Sequence, residues 1–142
     1  MSKSWSQGKF APKNPSKYLG DPSKITYRSS WELYFNQYVD EAEHVKNWAS
    51  EEIDIPYFHP FYKEMRKYFP DYFVVYVDKD NIEHREIIEV KPEKQIILPP
   101  KASKDQKITH MINVAKWTAC KRFCDQHNIK FRLCTEQQLF NQ

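Results

Sequence analysis

The sequence predicts one mixed α/β or α+β domain, with a central sheet flanked by helices. Three observations point there. The periodic segments run helix, several strands, long helix, strand, helix, an order that suits helices packed on a mixed sheet. A length of 142 residues is that of a single domain. An apolar share of 40%, with 15% aromatics, supports a real core and excludes a disordered polymer.

The elements follow in chain order. Residues 1 to 25 read as a flexible basic arm, because prolines, glycines and serines separate the lysines. Residues 1 to 30 carry Lys3, Lys9, Lys13, Lys17, Lys24 and Arg28 against the single acid Asp21. The net charge of +3 does not by itself prove a polyanion partner, but its distribution is lopsided. The domain proper spans 26–142. Its first helix starts in "YRSSWELYFNQYVDEA", where Trp31, Tyr34, Phe35 and Tyr38 keep helical spacing and Ser29 or Ser30 serves as cap. Two short strands follow, around Val45 to Ala49 and Ile53 to Tyr57. Pro56, Pro60 and Pro70 fence an aromatic-rich connection. Residues 71–77 and 83–91 form the clearest strand pair, joined by the turn "DKDN". "PEKQIILPP" reads as a loop. A long helix spans about Ser103 to Gln126, with Ile108, Met111, Ile112, Ala115, Ala119 and Phe123 on its apolar stripe. "IKFRLCT" is a last strand, and Thr135 caps a short closing helix.

Several function classes are disfavoured. No stretch approaches the roughly 18 apolar residues of a membrane span, and the first lysines precede no apolar signal-peptide run. Cys120, Cys124 and Cys134 are odd in number and lack a paired CxxC pattern, which suits free thiols in a reducing cytoplasm. Cys120, Cys124 and His127 have helical spacing for zinc, but buried cysteine ordinarily behaves as a small hydrophobe. Lys116, Lys121 and Arg122 read as the wet face of the long helix, and His59, His84 and His110 show no ligand spacing.

One feature resists a purely structural reading. The apolar strand ending Ile87-Ile88 closes with Glu89, Val90 and Lys91 before Pro92. If the preceding turn centres on Asp80, antiparallel partners set Phe73 opposite Ile87 and Asp71 opposite Glu89. Opposed residues share a face with Cβ atoms roughly 4.5–5.5 Å apart, and Lys91 projects from that same face. Two carboxylates so close repel, unless a cation sits between them. Hard oxygens at that separation suit Mg²⁺, with Mn²⁺ as an alternative, and the Val90 carbonyl supplies a further oxygen. A lysine beside such a metal offsets charge building on a phosphate, which describes phosphodiester hydrolysis. The competing reading is an exposed acid–lysine pair at strand ends.

"PD" at 70–71 with "EVK" at 89–91 resembles the signature of the PD-(D/E)xK nuclease superfamily, whose restriction-endonuclease-like fold is a central mixed sheet flanked by helices. The wider runs "KYLGDPSKITYRSSWEL", "VKNWASEEIDIPY", "YFPDYFVVY" and "IEVKPEKQ" resemble the head completion nucleases of T-even-type tailed phages, a family related to a transposase endonuclease subunit. That resemblance covers about residues 8 to 140. It implies that Asp71 and Glu89 bind metal, that Lys91 is catalytic, and that Glu32 is the helical glutamate the superfamily often carries upstream. From the residues alone, Ser29-x-x-Glu32 matches a capping box, which reads as a cap that stabilises the helix; the functional reading is that the helix N-terminus holds Glu32 ionised and points it at the metal site. Arg28, Lys94 and Gln95 are candidates to contact DNA. The implied function is a Mg²⁺-dependent endonuclease acting on double-stranded phage DNA during or after packaging. Portal or neck proteins are expected partners, in the host cytoplasm or the head–neck region of the virion. Two alternatives are a non-catalytic virion assembly protein binding DNA ends or portal, and a junction-resolvase or repair nuclease.

Overall fold

The structure, a computed structural model, describes residues 7–140. The strands are β1 (Gly8–Lys9), β2 (Thr26–Tyr27), β3 (Val45–Ser50), β4 (Ile55–His59), β5 (Glu64–Tyr68), β6 (Tyr72–Val77), β7 (Glu83–Val90) and β8 (Lys130–Cys134). The helices are α1 (Ser30–Glu41), α2 (Glu93–Ile96), α3 (Lys104–Gln126) and α4 (Glu136–Phe140). The central sheet has the order β3-β6-β7-β8. Its first two pairings are antiparallel and β7–β8 is parallel, so the sheet is mixed. β4 and β5 form a separate hairpin.

The sheet is covered on both faces, which is why β7 buries four consecutive residues, Glu86 to Glu89, rather than every second one. Ile88, Tyr72 and Val74 face a core shared with Phe35 and Val39 of α1. Ile87 turns the other way, into Trp117, Cys120 and Cys124 of α3 and Tyr57 and Tyr68 of the β4–β5 hairpin. Burying each such large side chain contributes about 1.5–3 kcal/mol. The β6–β7 turn uses Asn81 at positive φ, with the Asp78 carboxylate accepting from the N–H groups of Asp80 and Ile82. Asparagine tolerates that left-handed conformation better than most residues. The turn fixes the pairing of Phe73 with Ile87 and of Val77 with Glu83, the register expected from a turn centred on Asp80.

The chain departs from the sequence reading in four places. Of the arm expected over residues 1 to 25, residues 1–6 lie outside the described residues and the rest packs on the body. Phe10, Tyr18 and Ile25 are buried in the α1-side core. Asp40, itself buried, accepts from the backbone N–H groups of Lys13 and Asn14 at 2.8 and 3.0 Å. Lys17 spends its ammonium on the Asp40 and Ala42 carbonyls, so position 25 separates no arm from the domain. The connection after β4 holds the strand β5, and the loop after Pro92 holds the single turn α2. In α3 the deepest stripe is Asn113, Trp117, Cys120 and Cys124, one step around from the expected face, and Met111 is exposed. Cys120 and Cys124 are core side chains, and the His127 ring bonds the Phe123 carbonyl, which leaves no zinc site there.

Candidate active site

The hairpin register brings Asp71 and Glu89 together at the open end of the β6–β7 pair. Tyr72 pairs with Ile88, so the next residues outward oppose each other. The Asp71 N–H donates to Glu89 Oε1 at 3.1 Å, and the Val90 N–H donates to Asp71 Oδ2 at 2.8 Å. These crossed bonds clamp both carboxylates and leave Asp71 Oδ1 and Glu89 Oε2 for other partners. Lys91 sets Nζ at 3.6 Å from Glu89 Oε2, while its N–H donates to the Cys134 carbonyl of β8. Parallel pairing with β8 thus holds the lysine where β7 leaves the sheet.

The electrostatics follow from burial. The side chain of Glu89 is 6% exposed. Burial, and then the charge of Glu89, push the Asp71 carboxyl up to about 7, with the Val90 N–H and Lys91 opposing. Burial likewise raises Glu89, against Lys91. A buried acid and a half-buried one side by side cannot both ionise cheaply without a cation. An exposed acid–lysine pair at strand ends does not describe this pair.

Glu32 stands at the start of α1. Ser29 Oγ accepts from the Glu32 N–H at 3.3 Å, the expected cap. The return half differs from a capping box, since Glu32 Oε1 accepts from the N–H of Arg28, the residue before the cap, at 3.2 Å. The expectation that the helix N-terminus keeps Glu32 ionised meets a stronger opposing effect, because burial raises its pKa. Its charge is felt at Asp71. Arg28 turns its guanidinium onto Glu51 instead of standing free for a phosphate. Lys94 and Gln95 lie on α2 and line a cavity against α3.

Sequence reasoning missed three residues here. Glu51, at positive φ just after β3, raises Glu32 by its charge and donates its N–H to the Asp71 carbonyl. Lys116 is half-buried rather than on a wet face, 5.8 Å from the ring centroids of both Tyr57 and Tyr68. Burial, and then Lys91, lower its pKa, and Glu89 opposes. Lys121 and Arg122 are exposed as expected. The buried Tyr68 hydroxyl lies beside Glu89 without completing a hydrogen bond of good geometry. Helical spacing from Asn113 and Trp117 would have hinted at Lys116. Nothing in the sequence marked Glu51.

Among the described residues, no three His, Cys, Asp or Glu side chains gather into a metal cluster. The donors at hand are oxygens: two repelling carboxylates, each with an oxygen to spare, beside backbone carbonyls. That set fits a hard divalent cation that keeps several waters.

The model of the TnsA-like endonuclease N-terminal domain matches residues 42–136, which include β3 through β8, Asp71, Glu89 and Lys91. The chain belongs to this endonuclease family. It is also 39% identical to the head completion nuclease of Enterobacteria phage T4, over 93% of this chain and 92% of that protein. No solved structure matches it. For a TnsA-like endonuclease, the mixed sheet with helices on both faces is the restriction-endonuclease-like architecture expected from the sequence. Arg28 and Glu32 lie before the matched segment and belong to the part shared with the T4 protein's length.

Proposed function

We propose that this protein is a divalent-metal-dependent endonuclease that cuts double-stranded DNA through Asp71, Glu89 and Lys91. Its family and its similarity to a head completion nuclease support a nuclease role in head completion. The single observation that carries the site assignment is the pairing of buried Glu89 with half-buried Asp71, cross-bonded to each other's strand and flanked by Lys91.

Asp71 and Glu89, with the Val90 carbonyl, would hold Mg²⁺ or Mn²⁺. When bound, the ion supplies Lewis-acid polarisation of the phosphate and a more acidic water. The protein's own groups do the rest. The two backbone bonds fix both carboxylates before substrate arrives, so no reorganisation is needed during reaction. Lys91, anchored through β8, presents an ammonium that offsets negative charge developing on the phosphate. Glu32 adds a third carboxyl whose charge reaches Asp71, and it assists the pair from the N-terminus of α1. Lys94 and Gln95, on the turn after Lys91, flank the DNA strand. Arg28, engaged with Glu51, reaches a phosphate only by exchanging that partner.

The acting partner is DNA during or after packaging, with portal or neck proteins at the head–neck region and the infected host cytoplasm as the setting. No described helix is long and apolar enough to cross a membrane. The test is direct: purified protein is incubated with linear, circular and branched DNA in Mg²⁺, Mn²⁺ or EDTA. Cleavage with either metal and none in EDTA is expected. DNA binding without cleavage in any metal would favour the assembly-protein reading, and cleavage confined to branched DNA would favour the resolvase.

A further inference from the structure

A cavity of about 280 Å³ opens between α2 and α3, lined by Lys94, Gln95, Leu98, Thr109, His110 and Asn113. Its α2 wall follows the active strand in the chain. Lys94 and Gln95 follow Lys91 by three and four residues. Asn113 precedes Lys116, whose charge interacts with Lys91 and Glu89, by a single turn of α3.

Its lining is built for a polar, planar group. Asn113 is 5% exposed, lines the cavity, and makes no side-chain hydrogen bond with another described residue. The His110 ring has a buried Nδ1 without a partner. Leaving a buried polar atom unpaired costs about 1–3 kcal/mol, so the His110 Nδ1 calls for a ligand or water. The donor set argues against a phosphate. Lys94 is the one cationic side chain among the lining residues, and Asp105 stands at the same cavity and repels anions. Gln106 is occupied by the cap of α3, because its side chain accepts from the Ser103 N–H. What remains are amides, a hydroxyl and an imidazole, the groups that read base edges and stack on unpaired bases.

We propose that this cavity binds the base of one unstacked nucleotide next to the scissile phosphate, so that the enzyme prefers DNA with an unpaired or displaced base there. The inference rests on the nuclease reading. Extruding a base costs least where it is already unpaired, so tailed ends and branches would be favoured over continuous duplex. The Asn113 amide and Gln95 hydrogen-bond the base edge, while Leu98 and the His110 ring face its plane.

The experiment measures wild-type binding in EDTA to three oligonucleotides: a blunt duplex, the same duplex with a tail of normal nucleotides, and the tailed duplex with abasic tail positions. Tighter binding of the normal tail than of the abasic one, by about tenfold, is expected from the energy of seating a single base. Thr109→Trp, at an exposed cavity position, should abolish that difference. If Trp destabilises the helix, Thr109→Gln provides a smaller obstruction with the same readout. Equal binding of normal and abasic tails by wild type would overturn the proposal, as would a preference that survives both variants. Metal-dependent cleavage of linear DNA by wild type is scored separately. Its loss would overturn the nuclease reading, whereas its presence with equal tail binding removes only the base pocket.

Discussion

Among single residues, Asp71 and Glu89 stand under the greatest electrostatic tension when no cation is bound. Each accepts one backbone N–H, yet burial and proximity raise both. Because Asp71 titrates near 7 in the fold and lower when unfolded, the folded state holds its proton more tightly. That contribution is fully present below the unfolded pKa and is lost as pH rises through about 7. In EDTA, the melting temperature of wild type should therefore fall relative to Asp71→Asn between about pH 5 and 8. Parallel melting curves over that range would show that the acids carry no such tension. Glu32 is separable in the same way. Glu32→Gln retains a polar N3 side chain, and N-cap interactions contribute about 0.5–2 kcal/mol, so its melting point should move little. If Glu32 assists the pair, cleavage should nevertheless drop by at least about tenfold, as charge removal near a reacting phosphate does. Near wild-type cleavage would reduce Glu32 to a cap.

At the scale of elements, α3 and the β4–β5 hairpin bring Lys116 over Tyr57 and Tyr68, facing the strand that carries Glu89. Lys116→Met keeps an unbranched stem on those rings and removes the charge. It should lower cleavage about ten- to a hundredfold with a melting point near wild type, whereas Lys116→Ala should also lose stability. Equal activity of wild type and Lys116→Met would mean the ammonium only packs. The N-terminal segment offers a stability test. Asp40→Ala leaves the N–H groups of Lys13 and Asn14 unpaired and should cost about 1–3 kcal/mol. Proteolysis should then begin between residues 10 and 25. These elements also explain what the sequence made legible. The β6–β7 register was readable because "DKDN" sets the turn and Ile87-Ile88 demands two covered faces. β5 was not, because Glu64 to Lys67 are exposed and only Tyr68 points inward, so no alternation marks a strand. The α3 stripe was misaligned because Asn113 and the cysteines weigh less than Ile and Met in an apolar pattern, although they sit deepest. Residues 7–25 looked like an arm because lysines and prolines dominate, while the anchoring acid lies in α1.

At the scale of the whole molecule, the fold is a frame that holds two acids and a lysine at the mouth of a sheet buried on both sides. Ile87 and Ile88 anchor the strand from opposite cores, so the site inherits the rigidity of both. Asp71, Glu89 and Lys91 were legible from sequence because two strand ends and one turn fix them. Glu51 was not, since its place depends on a bend after β3. Asp71 and Glu89 are proposed to hold a catalytic divalent cation jointly. The most direct measurement is a Mg²⁺ titration of thermal stability for wild type, Asp71→Asn, Glu89→Gln and Lys91→Ala. A ligand that binds only the folded state stabilises by mass action, by about 2.7 kcal/mol at a hundredfold excess over its dissociation constant. On this proposal Mg²⁺ should raise the melting point of wild type and of Lys91→Ala, and both acid variants should lose that gain. Equal Mg²⁺ stabilisation of all four proteins, or of none, would contradict it.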